Sequence, residues 1–324
     1  MATPVLADLR RRFPTAHITA MSSFAISELV KQDPAIDKIL CFTKPESPAA
    51  ARQSVFDISR KLRREKYDLG VLLTNSFSSA CCFYLGKVKR RLGYAVDWRS
   101  LLLTDRMEPP EIKIHQIDFY KHLLQPLGIL KSETPPRLYL LENEEEAAKA
   151  LLYQRGYRSG QALIGINPGA AYGSAKCWPP ERFRALAHVF LQDPDLAIVF
   201  FGDAQSRDLV NKICDGLPER VINLAGATNL RQLACLIKNC DVLVTNDSGP
   251  MHVGAALRTP IVALFGSTDD LITGPWNQKE GVINKHLCCS PCFKRTCFGD
   301  FRCMYKIEVE EVAQKAFERR KHRV

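Results

Sequence analysis

Apolar residues along this chain fall alternately into helical stripes and short continuous runs. Val5, Leu6 and Leu9 recur at helical spacing across 3–13, a segment that closes on the arginine run 10–12. A strand follows at 16–21, a helix with serine caps at 22–32 and a strand at 36–42. An amphipathic helix at 50–66 ends in basic residues. Then come an apolar strand at 69–74, a helix at 76–85, a strand at 91–95 and a helix at 114–127. Lys131-Ser-Glu-Thr-Pro-Pro-Arg137 breaks both periods and reads as a linker. Beyond it the pattern predicts helices at 143–155, 180–191, 204–214, 230–238 and 250–257, between strands at 162–166, 196–201, 221–224, 241–245 and 261–265. Strands alternating with helices of this length build parallel sheets. Two doubly wound α/β domains are therefore expected, 1–137 and 138–324, with ligands beyond the carboxyl ends of the strands. The first domain opens on a helix where such domains usually open on a strand, so the chain reads as starting mid-unit.

Composition narrows the class. The chain has 324 residues, 46% hydrophobic and 25% charged, enough to bury two sizeable cores. No stretch approaches the roughly 20 consecutive apolar residues of a spanning helix. The amino terminus lacks a signal-peptide core, so the reading is cytosolic. A net charge of +10 favours an anionic partner without choosing one, and also fits a basic protein with no polyanionic partner. Twelve cysteines in a chain of this size point to reduced, core-packed or metal-bound thiols.

Two strand ends carry chemistry. In 241–257 an apolar strand runs into Asn246-Asp247-Ser248-Gly249, and Pro250 starts a small-residue helix. The first amides of a helix lack intrahelical acceptors and carry partial positive charge, so this turn suits an anion, with Gly249 allowing close approach by a phosphate. It reads equally as an ordinary capped turn, with Asp247 or Ser248 as N-cap. In 164–183 a strand ends in Asn167-Pro-Gly169, and a small-residue loop through Ala170 brings Lys176 toward the next helix. Flexible amides and one ammonium suit a pyrophosphate, although a solvated surface loop has the same composition. Asp203, after the strand at 196–201, could accept bonds from ribose hydroxyls.

The run from Thr245 to Thr268 resembles the signature of glycosyltransferase family 9, the heptosyltransferases of lipopolysaccharide core synthesis. The Asn167-Pro-Gly-Ala loop with Lys176-Cys-Trp-Pro is similar to that family's other donor-side motif. Ser290-Pro-Cys-Phe-Lys-Arg-Thr-Cys297, followed by Cys303, resembles the tail of its type II members. The resemblance implies a GT-B fold, with an acceptor-binding first domain and an ADP-sugar-binding second domain facing each other across a cleft. It leaves open whether the last helix packs back on the first domain. It implies inverting, metal-independent transfer of heptose from ADP-heptose to the inner-core heptose of Kdo–lipid A, with no cofactor, at the cytoplasmic face of the inner membrane. Carried over by position, Asn167, Gly169, Ala170, Asp203, Asp247, Ser248, Gly249 and His252 hold the donor, and Lys176 neutralises the departing ADP. Preorganised donors can take up that developing charge without a metal.

Inverting displacement needs a base for the acceptor hydroxyl. The family's is an Asp in a Gly-Asp turn after the first strand, and Met1-Ala-Thr-Pro-Val-Leu6 resembles the segment just downstream of it. The base is therefore expected upstream of Met1, and Asp8, inside the first helix, is a poor substitute. The chain alone is expected to lack normal turnover; full turnover would overturn this. Cys289, Cys292, Cys297 and Cys303, separated by two, four and five residues, are candidate metal ligands, with unligated thiols as the alternative. Lys294 and Arg295 among them could face anionic substrate. Lys89, Arg90 and Arg91 are the candidate acceptor contacts, or a solvated cluster. Other readings are a family member using another sugar, and a non-catalytic nucleotide-sugar-binding remnant. Nucleic-acid binding rests on net charge alone, without a motif.

Overall fold

The computed structural model describes the chain apart from residues 44–46, 131, 171 and 321–324, and apart from the side chains of 48–52. Lys131 of the expected linker thus lies outside the described residues, and 132–141 is irregular. The chain divides into two compact units, Met1–Pro135 and Pro136–Val324.

The first unit runs α1 (Thr3–Arg12), β1 (Thr19–Ser23), α2 (Phe24–Val30), β2 (Lys38–Phe42), α3 (Pro48–Glu65), β3 (Leu69–Val71), α4 (Phe77–Leu85), β4 (Arg90–Tyr94), β5 (Asp105–Met107) and α5 (Gln116–His122). β1 pairs with β2, and β3, β4 and β5 form a separate sheet in that order; every pairing is parallel. Alternating inward positions of β4, Leu92 and Tyr94, are fully buried with Val5, Leu123, Leu124 and Leu127. The Tyr94 hydroxyl, which would be costly to bury unpaired, donates to the Phe119 carbonyl at 2.6 Å. The strand predicted at 16–21 sits at 19–23 instead, because Ser22 and Ser23 pair with Cys41 and Phe42 and so do not begin the helix.

The second unit runs α6 (Glu142–Gln154), β6 (Ala162–Asn167), α7 (Pro180–Phe190), β7 (Leu196–Phe200), α8 (Arg207–Cys214), β8 (Val221–Asn223), α9 (Leu230–Asn239), β9 (Val242–Asn246), α10 (Gly249–Ala256), β10 (Ile261–Phe265), α11 (Asp270–Thr273), β11 (Val282–Asn284), α12 (Arg302–Tyr305) and α13 (Val309–Arg320). Its six parallel strands are ordered β11-β10-β9-β6-β7-β8. β7, β9 and β10 are buried at every residue, as strands covered on both faces must be, which is why they read as unbroken apolar runs. Asn229 and Gln232 close a reciprocal capping box on α9. α13 packs on α7, β9 and β10, with Phe317 edge-on to Phe190 at 5.5 Å.

Among the described residues no helix is long and apolar enough to cross a membrane.

Candidate active site

β6 and β9 are neighbours at the centre of the second sheet, and the chain order reverses between them. β7 and β8 extend to one side, β10 and β11 to the other. Connections leaving such a pair diverge and open a crevice at the carboxyl ends. Asn167 ends β6 and Asn246 ends β9, and both are buried. Buried amides require partners. The Asn246 Nδ2 donates to the Pro168 carbonyl at 2.7 Å and its Oδ1 accepts the Trp178 amide at 3.0 Å. One side chain thus pins both ends of the loop that carries Lys176. Trp178 is itself buried, its indole donating to the Ile307 carbonyl at 3.0 Å.

Within that loop Lys176 lies in a short 3₁₀ turn, Ser174–Lys176, and its ammonium donates to Asp247 Oδ2. The same oxygen accepts the Thr268 hydroxyl at 2.7 Å. The Lys176 Nζ also stands 4.8 Å from the centre of the Tyr172 ring. The ammonium is therefore aimed by a carboxylate and an aromatic face together.

The amino end of α10 lies one residue beyond Asp247. Ser248 occupies the N-cap position with extended backbone, yet its side chain makes no cap bond. The hydroxyl is instead taken up by Asn167 Nδ2 at 3.2 Å and the Thr245 hydroxyl at 3.0 Å. The Gly249 and Met251 amides at the start of α10 thus lack the usual N-cap bond from Ser248, Pro250 having no N–H, an arrangement that a bound anion can complete. A Cβ added to Gly249 would meet nothing within 4 Å, so the backbone there borders open space. His252 stands one turn further along α10, half-buried.

Of the remaining expected donor residues, Gly169 and Ala170 follow β6 and Asp203 follows β7. The Gly169 carbonyl accepts from Asn167 at 3.0 Å, and Ala170 supplies a backbone hydrogen bond to the Cys177 thiol, whose pKa burial pushes up. Asp203 is exposed, and one of its oxygens takes the Ser206 amide at 2.8 Å and hydroxyl at 2.7 Å ahead of α8. Asn246, Thr268 and Tyr172 are the members of this constellation that sequence reasoning did not single out.

The three candidate acceptor contacts belong to the first unit. Lys89, Arg90 and Arg91 sit at the amino end of β4, opposite the carboxyl ends where ligands of parallel sheets collect. Lys89 pairs with Asp68 at 2.7 Å and Arg90 with Asp105 at 2.6 Å. The Arg91 guanidinium donates to the carbonyls of Leu102, Val88 and Lys89, at 2.7, 2.6 and 3.3 Å. Asp8 is buried in α1, where it accepts the Thr134 hydroxyl at 2.6 Å.

All twelve cysteines are free thiols. Cys289 and Cys292 are exposed, Cys297 is half-buried and Cys303 is buried. Among the described residues no group of three His, Cys, Asp or Glu side chains is arranged to hold a metal ion.

Comparison with known proteins gives the family. The profile of "Glycosyltransferase family 9 (heptosyltransferase)" matches residues 55–300. The chain is 31% identical to lipooligosaccharide heptosyltransferase 2 of Campylobacter jejuni, over 98% of this chain and 92% of that protein. It is 31% identical to lipopolysaccharide heptosyltransferase 2 of Escherichia coli K12, over 87% and 83%. The solved structure of E. coli ADP-heptose lps heptosyltransferase II superimposes with a TM-score of 0.79 at 27% identity, over 99% of this chain and 94% of that one. The two-unit α/β architecture is accordingly the GT-B fold expected from the sequence. With a family profile spanning most of its length and a 31%-identical relative covered almost throughout, the chain belongs to glycosyltransferase family 9, the heptosyltransferase family, and is a glycosyltransferase.

Proposed function

We propose that this protein transfers heptose from ADP-heptose to the inner-core heptose of Kdo–lipid A, with inversion at the transferred carbon, at the cytoplasmic face of the inner membrane. One observation carries the reading: Lys176, held by Asp247, stands beside the uncapped amino end of α10 at the reversal point of the sheet.

Breaking a sugar–phosphate bond builds negative charge on the departing diphosphate. An ammonium and the Gly249 and Met251 amides at a helix start, already facing that position, stabilise the charge without reorganising. Lys176 and the amides of α10 take this role in place of a metal ion. Asn167, Asn246 and Thr268 act through others, by fixing the serine, the loop and the carboxylate, respectively. The names of the 31%-identical relatives support heptose as the sugar and a lipopolysaccharide or lipooligosaccharide as the acceptor.

The test is thermal protection by ADP-heptose set against UDP-glucose and GDP-mannose, followed by mass analysis of a heptosylated Kdo–lipid A acceptor. Selective protection by ADP-heptose is expected, with at most a small fraction of the acceptor gaining one heptose. Equal protection by all three donors would overturn the assignment of the sugar nucleotide.

A further inference from the structure

We propose that Arg295, on the cysteine-bearing segment, is a second cation of the donor site and contacts the terminal phosphate of the nucleoside diphosphate. The inference deepens the donor reading above and rests on it.

The segment around Arg295 is tied to the strand end and to the lysine loop through backbone atoms. The Cys292 and Phe293 amides donate to the Ser267 carbonyl at 3.1 and 2.7 Å, and the Ser290 hydroxyl donates to the Gly266 carbonyl. Both acceptors directly follow β10. On the other side, the Ala175 amide donates to the Arg295 carbonyl at 3.0 Å and the Tyr172 hydroxyl to the Phe293 carbonyl at 2.9 Å. Gly173 fits against this contact with φ of 153°, and a Cβ there would stand 2.3 Å from the Arg295 carbonyl oxygen. The lysine loop and the cysteine segment are therefore fastened together at the residues flanking Lys176 and at Arg295.

That fastening brings two cations to one ring. Tyr172 carries the Lys176 ammonium at 4.8 Å and the Arg295 guanidinium at 5.3 Å from its centre. Lys176 is matched by Asp247, whereas Arg295 is exposed and has no carboxylate partner among the described residues. Two neighbouring positive charges, one carboxylate and the positive end of α10 leave a net positive field. A diphosphate, with more than one negative charge and several acceptor oxygens, complements it. A guanidinium adds paired donors that an ammonium lacks.

The chemistry predicts a preference for diphosphate over monophosphate that depends on Arg295. Calorimetric titration of ADP and of AMP, with the unsubstituted protein, Arg295→Ala, Arg295→Lys and Lys294→Ala, tests this. Lys294 is the control, because it lies over the Phe298 ring instead, at 5.1 Å. Arg295→Ala should weaken ADP binding roughly tenfold, as loss of a charged hydrogen bond does, and leave AMP binding nearly unchanged. Arg295→Lys should recover part of the loss, and Lys294→Ala should change neither ligand. Equal weakening of ADP and AMP by Arg295→Ala would mark a structural role and overturn the proposal, as would an unchanged ADP affinity. Failure of the unsubstituted protein to bind ADP would overturn the donor reading itself, and the Arg295 assignment with it.

Discussion

Lys176 and Asp247 lie 71 residues apart in the chain and meet as an ion pair whose side chains are only 13% and 5% exposed. Removing the ammonium alone strands a carboxylate in a site that water scarcely reaches. Lys176→Met should therefore cost about 3 kcal/mol of stability as well as ADP affinity. Adding Asp247→Asn should restore most of the stability and none of the affinity. Urea unfolding and ADP titration of both variants separate the two effects; a double variant as unstable as the single one would show that the pair is not the cause.

Gly249 offers a case where stability and function part company. It is the first residue of α10, and an added methyl group would point into open space. Gly249→Ala should leave folding unchanged or raise stability by up to about 1 kcal/mol, since alanine loses less backbone entropy. The methyl group would occupy ground that a bound phosphate needs, so ADP affinity should fall. An unaltered affinity would place the phosphates away from this turn.

The basic cluster of the first unit should divide by hydrogen bonding and not by charge. Arg91 donates to three backbone carbonyls, and Arg91→Ala should destabilise by about 2 kcal/mol. Lys89→Ala should have almost no effect, because its pair with Asp68 is well exposed, at 72% and 83%. ADP binding should survive both substitutions, and a large effect of Lys89→Ala on either measurement would contradict this account.

Alkaline conditions should expose the buried thiols. Burial pushes Cys82 and Cys235 up to about 11 and Cys214 up to about 12, from an ordinary 9.0. Well below pH 9 these thiols are neutral whether the chain is folded or not. As the pH rises past 9 the unfolded chain releases their protons while the folded chain retains them, so stability should decline from pH 9 toward 12. Iodoacetamide at pH 8 should label Cys288, Cys289 and Cys292, which are exposed, well before Cys82 or Cys235. Mass spectrometry of timed samples gives the order, and early labelling of Cys82 would refute it.

The central strands of the second unit were legible because burial on both faces writes an unbroken apolar run into the sequence. β5 and β11, with three residues each, were not. Asp105-Arg106-Met107 has an exposed arginine in the middle and no periodicity to detect. Lys176, Asp247, Ser248 and Gly249 could be named from strand-end chemistry alone, but the contact between Lys176 and Asp247 could not. Asn246 escaped because a lone asparagine at a strand end says nothing about a tryptophan amide 68 residues away. Lys89 to Arg91 illustrate the converse: charge is visible in a sequence, whereas the end of the sheet to which it is delivered depends on strand direction.

Trp178, two residues beyond Lys176, hangs from the carbonyl of Ile307, and Arg182 at the start of α7 grips the same carbonyl at 2.5 Å and Glu308 at 2.8 Å. The last stretch of the polypeptide is thus the buttress of a loop laid down far earlier. A lesion near residue 307, remote in sequence from any strand-end loop, would surface as a slackened lysine and be mistaken for damage to the site itself.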